Sequence, residues 1–143
     1  MALSTILHLA RSDAEMLCQY RMEGGPSLLL RVLESPRCHA GKNLLKSILD
    51  AACDCPIIVK DMGTKCFMAS QNSEAVITDP ELIKCALQAW RTWASHDALN
   101  LFFQALLFLL KDQHPHREFN ASQMKRWGIV ETVLLVCQVS LLI

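Results

Sequence analysis

The ten residues LFFQALLFLL, Leu101 to Leu110, are apolar at every position except Gln104. A helix needs about twenty such residues to cross a bilayer, so this run is too short to be a span. Folded as a helix it is apolar on every side, and such a helix is stable in water only when neighbours wrap it. The rest of the chain must supply helices to do so. That demand limits the fold more than any motif does.

The flanking sequence answers at helical spacing. Leu3, Ile6, Leu7 and Ala10 predict a helix over about 2–11. Ser12 with Glu15 three residues on reads as a capping box, opening a helix over about 13–23 with Met16, Leu17 and Tyr20. Gly24-Gly25 stop it, Pro26 suits the first turn of the next helix (26–34), and Ser35-Pro36 ends that one. Leu44, Leu45, Ile48, Leu49 and Ala52 mark a helix over 42–54. Asp79 as cap and Pro80 at the first helical position begin another, 80–94. Its stripe of Leu82, Ile83, Ala86, Leu87, Trp90 and Trp93 places both indoles in the core. The opening run lies in a helix over 97–111. Asn120 caps a short helix, 120–127, with Gln123 completing a capping box, and the last helix covers 129–141.

Between 56 and 77 the pattern fails. A β-branched run, Ile57 to Val59, leads into Gly63 and the polar stretch Ser70 to Glu74, which predicts an irregular or weakly extended insert. Gly24 and Gly128 each follow a short helix and precede an apolar one, as left-handed corners do. The expected architecture is all-α: one domain over 1–143, built as an armadillo/HEAT-like, right-handed superhelical stack of helices with the insert near 56–77. The structural corners are Gly24, Gly128, Asn120 and Pro80.

Composition narrows the function. With 52% hydrophobic and 20% charged residues the chain can bury a core, and a net charge of zero argues against a nucleic-acid binder. Seven cysteines without a secretory pattern in MALSTILHLARSD imply free thiols in a reducing, cytoplasmic setting. The tail VETVLLVCQVSLLI is interrupted by Glu131 and Gln138 and falls short of a span, so membrane association is expected to be at most indirect.

Candidate chemistry is sparse. His114 and His116 stand two apart and would need two further ligands to hold zinc, so HPHRE reads as a solvated loop between helices. Cys53 and Cys55 form a C-x-C without a second pair at zinc spacing. A small metal-binding or thiol-dependent protein using these four residues is the second reading, and a tail-anchored peripheral membrane protein is the third. Asn120-Ala121-Ser122 matches a glycosylation triplet, but as a cap the asparagine is already engaged. No phosphate loop, nucleophile elbow or paired catalytic carboxylate stands out. The sequence suggests no enzyme, no catalytic or metal-ligating residue and no cofactor. Trp127 beside Lys125 and Arg126 is the one candidate interaction surface.

Several blocks carry a resemblance. They are Trp90-x-x-Trp93, LLKDQHPHREFN, FNASQMKRWGIVETVLLVCQ, GKNLLKSILDAACDCPIIV and NSEAVITDPELI, all within a likeness that extends over roughly residues 20–138. In this order they resemble the helical region that follows the concanavalin-like module in the very large BEACH-domain proteins. Members include lysosomal trafficking regulator and the neurobeachin-like proteins, the latter being the preferred subfamily on these motifs. The resemblance implies an intracellular, non-enzymatic scaffold for vesicle and lysosome-related membrane traffic. It implies armadillo-like helices and no catalytic residue. The chain shows no BEACH module, pleckstrin-like module or WD repeats, and so reads as a fragment or short product of a longer protein, with VSLLI departing from the family's polar continuation. Its expected partners are other protein domains, either neighbouring modules of a longer parent or a peptide. Self-association is expected through an apolar strip of Val133, Leu134, Val136, Leu141, Leu142 and Ile143. Burying about 400 Å² there would gain roughly 10 kcal/mol before ordering costs.

Overall fold

The computed structural model describes residues 5, 9, 13–70 and 74–141, and side chains as far as residue 139. Of the predicted first helix only Thr5 and Leu9 fall within this set, and both are helical. The chain is mostly helical, with eight helices and one two-stranded hairpin among the described residues.

Helix α1 spans Ala14–Met22. Its cap is Asp13, whose carboxylate accepts from the Glu15 N–H at 3.1 Å; Ser12 of the predicted capping box lies outside the described residues. Helix α2 spans Gly25–Glu34. The glycine pair between them divides its duties. Gly24 takes the left-handed backbone, φ 78°, which costs other L-residues about 1–2 kcal/mol. Gly25 lets the Tyr20 ring lie against it, since a Cβ there would sit 2.2 Å from a ring carbon. Helix α3 spans Lys42–Cys53 and buries Leu45, Ile48, Leu49, Ala52 and Cys53. Asp54 ends it in the left-handed region.

The insert contains a short hairpin, as the weakly extended reading of its sequence allows. Strands β1 (Ile58–Lys60) and β2 (Phe67–Ala69) pair antiparallel, Val59 opposite Met68. The β-branched run supplies β1, and Asp50 fastens it: one carboxylate oxygen accepts from the N–H groups of Ile57 (2.7 Å) and Ile58 (3.2 Å). Lys46 pairs with the same carboxylate and donates to the Ile58 carbonyl at 2.7 Å. The base of the hairpin is thus bound to α3, with Ile57 and Ile58 in the core.

Helix α4, Pro80–Gln88, is the hub, packed on α2, α3 and α8. Buried Asp79 caps it, accepting from the Leu82 N–H at 3.3 Å, and Arg21 reaches both Asp79 and Glu81 at 3.3 Å. The helix predicted over 80–94 is broken. It stops at Ala89, and α5 (Trp90–Ser95) begins on a new axis. Trp93 gives the reason. Its indole N–H donates to the Ala86 carbonyl at 2.8 Å, the oxygen that Trp90 N–H would claim in an unbroken helix. Buried indole N–H groups need such a partner. Trp93 is fully buried, edge-on to Phe102 with ring centres 6.4 Å apart. Trp90 is only half-buried, with the Arg91 guanidinium 5.3 Å from its ring centre, which corrects the expectation that both indoles face inward.

Helix α6 spans Leu99–Leu109, α7 Arg117–Arg126 and α8 Ile129–Leu141. Gly128 turns α7 into α8 with φ 70°. Helix α6 lies against the hairpin and α5, and α7 lies against α8. The core runs from Leu33 and Leu45 through Ile83 and Leu87 to Trp93, Phe102 and Leu109.

At the α1–α2–α4 junction the Tyr20 hydroxyl is enclosed without a hydrogen-bond partner among the described residues. Burial first, then Cys85 and the carboxylates of Asp79 and Glu81, push its pKa from 10.0 up to about 12. A raised folded-state pKa means the stabilisation is complete below the unfolded value and is lost as pH climbs between the two. The chain should therefore lose stability from about pH 10 towards pH 12. Tyr20→Phe, with no proton to release, should lose less over that interval and be at least as stable at pH 7. Urea denaturation across the alkaline range checks both.

Candidate functional site

The opening apolar helix is not wrapped on every side. Leu101, Phe102, Ala105, Leu106, Phe108 and Leu109 are buried, but Leu107 is 62% exposed. Phe103, Leu107 and Leu110 form one wall of a groove of about 350 Å³. The facing wall comes from α8: Val130, Val133, Leu134 and Cys137. Leu106, Met124 and Ile129 make its buried floor, and no charged side chain lines it. Leu134 is 59% and Val130 43% exposed. The end of α6 (Leu110), Met124 of α7 and the start of α8 (Ile129, Val130) meet at one end of the groove. That end is closed by α7; the other lies between Phe103 and Cys137.

What holds α7 across that end is Asn120. Its carbonyl oxygen accepts from the Ile77 N–H at 2.9 Å. Its amide donates to the carbonyls of Leu109 at 3.1 Å and Ala75 at 3.2 Å. Leu109 ends α6, where carbonyls lack helical partners. One fully buried side chain therefore ties the end of α6 and the strand-like segment 75–77 to the middle of α7. This corrects the reading of Asn120 as an N-cap: α7 begins at Arg117, with His116 in the capping position. It also removes the glycosylation reading, because the amide nitrogen is enclosed and bonded twice.

The loop before α7 is corrected as well. His114 is 6% exposed and not solvated, its ring edge-on to Phe108 at 5.3 Å and its Nδ1 accepting from the His116 N–H at 3.1 Å. Pro115 bends the chain so that the first histidine turns inward while His116 stays half-buried near Glu74. Among the described residues no three His, Cys, Asp or Glu side chains converge as metal ligands would. The structure does not bring Cys53, Cys55, His114 and His116 together as a metal centre. Cys55 is also no activated nucleophile: partial burial, then Asp50 and Asp54, push its thiol up.

Lys125, Arg126 and Trp127 are exposed at the last turn of α7, beside the closed end of the groove and outside its lining. The expected tail strip is regrouped. Val136 is 2% exposed and belongs to the core, Leu134 faces the groove and Leu135 is open to solvent. The side chains of Leu141, Leu142 and Ile143 lie outside the described residues. No helix among the described residues is long and apolar enough to cross a membrane. Sequence reasoning missed the groove. Its signal was a second apolar stripe on each wall helix, Phe103-Leu107-Leu110 and Val130-Leu134-Cys137, at the edge of the core, with Phe103 and Leu110 only partly buried against it.

Two curated relatives align with nearly the whole chain. The lysosomal-trafficking regulator of Drosophila melanogaster is 31% identical over 144 residues, covering 97% of this chain. The lysosomal-trafficking regulator of Homo sapiens is 28% identical over 141 residues, again 97% of this chain. The chain belongs to the BEACH-domain protein family. The chain spans about 4% of the length of either relative. Both are lysosomal-trafficking regulators, whereas the motifs favoured the neurobeachin-like branch. No family model matches the chain, and no solved structure matches it. In this BEACH-family chain the matched region includes both walls of the groove and Asn120.

Asn120→Ala leaves three enclosed backbone groups without a partner and should cost about 2–4 kcal/mol, measured by urea denaturation. The two faces of α8 should respond oppositely to charge. Leu134→Glu, on the open face, should change stability by about 0.5 kcal/mol or less, whereas Val136→Glu, buried in the core, should cost more than about 4 kcal/mol or prevent folding. Thermal melts of the two variants, with binding of a hydrophobic dye, read the difference.

Proposed function

We propose that the chain is a non-enzymatic scaffold segment in vesicle and lysosome-related membrane traffic, and that it acts by holding another protein element in the α6–α8 groove. The observation that carries the reading is the match to lysosomal-trafficking regulators over 97% of the chain. The groove adds a physical reason. A contiguous apolar recess with an exposed rim is costly to leave in water and marks an interaction site. The helices belong, in this reading, to an armadillo-like right-handed stack, in which glycine corners repeat and exposed helix faces are covered by neighbours. The partners are protein domains or peptides, and nucleic acid is not among them. The chain works in the cytoplasm, peripheral to endomembranes through what it binds. Self-association through the α8 face is the same physics with a second copy as partner.

The test is cellular. The chain, produced with a fluorescent tag, should compete with resident trafficking machinery and change the size or distribution of lysosomes. Leu134→Glu at matched expression should leave lysosomes normal. Lysosomes unaffected by the unaltered chain, or affected equally by both, would refute the reading.

A further inference from the structure

We propose that the groove takes one short amphipathic helix with an apolar stripe and an acidic end, the acidic end seated against Lys125 and Arg126. This rests on reading the chain as an interaction segment and names the chemistry of what it holds.

Shape selects a helix. Each wall offers apolar side chains over seven residues, roughly 10 Å or two helical turns. A partner helix that reads i, i+3 or i+4, and i+7 matches that length and lays its stripe on the floor at Leu106 and Ile129. Size argues against a second copy as the main occupant. A stable interface engages about 20–30 residues a side, and this groove is lined by ten.

Charge sets the direction. Lys125 and Arg126 stand in the chain between the lining residues Met124 and Ile129, so two exposed cations lie beside the closed end, whereas the Lys111 ammonium lies over the Phe108 ring, 5.8 Å from its centre. Neither Lys125 nor Arg126 has an ion-pair partner among the described residues. Of the nearby acids, Asp112 is engaged by Arg117 at 3.2 Å, and Glu131 shares the space over Gly128 with Lys84. The closed end is therefore net positive. It attracts acidic side chains, and the negative end of a helix dipole adds to the effect. An anionic membrane would meet the same cations, but a flat surface does not fill a recess between two helix walls.

The test uses the full chain and two labelled peptides of about fourteen residues, with leucines at the helical spacing of the stripe. One peptide ends in glutamates and the other in lysines. Fluorescence anisotropy should show the acidic peptide binding about tenfold tighter or more. The preference should shrink with added salt and vanish in Lys125→Glu/Arg126→Glu. Leu134→Glu, checked for native circular dichroism, should abolish binding of both peptides. Equal binding of the two peptides, lost in Leu134→Glu, would leave the groove as an interaction site and overturn the acidic assignment. Co-sedimentation with phosphatidylserine vesicles but no peptide binding would overturn the helix in favour of a membrane. A groove-dependent dimer by sedimentation, without peptide binding, would overturn it in favour of a second copy. Binding of none of these would defeat both this inference and the reading beneath it.

Discussion

The side-chain amide of Asn120 bonds three separate parts of the chain at once, and Gln123, one turn on, adds a bond to the Ile77 carbonyl at 3.4 Å. The Asn120 amide accepts one backbone N–H from residue 77 and donates to two carbonyls, at 75 and 109, from a site with no water contact. An unpaired buried backbone group costs roughly 1–3 kcal/mol, so satisfying three at once fixes where α7 can lie. The position of α7 then fixes where Gly128 turns and how far α8 stands from α6. Both walls of the groove follow from that spacing. A second fastening works in the same way at the hairpin, where Asp50 and Lys46 take up the backbone of residues 57 and 58. In both places a polar side chain on a helix secures an irregular segment that cannot satisfy its own backbone.

Helix α6 explains why the groove exists. It is apolar nearly all round, and the fold packs it against α5 and the hairpin, leaving the line through Leu107 open. Helix α8 stands close enough to face that line but packs chiefly on α4. The result is a recess with apolar walls, with the exposed Lys125 and Arg126 beside one end. Membership of the BEACH family sets that recess in the context of very large proteins, of which the chain matches about one twenty-fifth.

Much of the architecture could be read from local patterns because the forces that start and stop helices are local. Pro80 behind Asp79, Gly24 and Gly128 at positive φ, and the aliphatic stripe of α3 are each decided within a few residues. The misreadings share one cause. Asn120 has the spacing of a cap, Trp90 has the spacing of a core residue, and His114 sits in a polar string. Each was settled by a partner far away in sequence or by a bend that only packing demands. The break at Ala89 is of this kind, since the carbonyl of Ala86 accepts from the Ala89 N–H at 3.1 Å and the Trp93 indole at 2.8 Å, and not from Trp90 one helical turn on. The candidate surface at Lys125, Arg126 and Trp127 was found from local composition. The groove beside it was not, because its walls lie on two helices whose spacing no local pattern encodes.

The sequence by itself determined that the chain is helical, where its glycine corners fall, and that it resembles the BEACH family. These rest on backbone propensity and side-chain periodicity, which act over a turn or two. Only the tertiary structure decided which apolar faces stay open. Burial is shared among helices distant in the chain, and a stripe is covered or exposed according to how many neighbours reach it. Leu107, Val130 and Leu134 are as apolar as the buried leucines beside them, and what separates them is that no further helix among the described residues covers them.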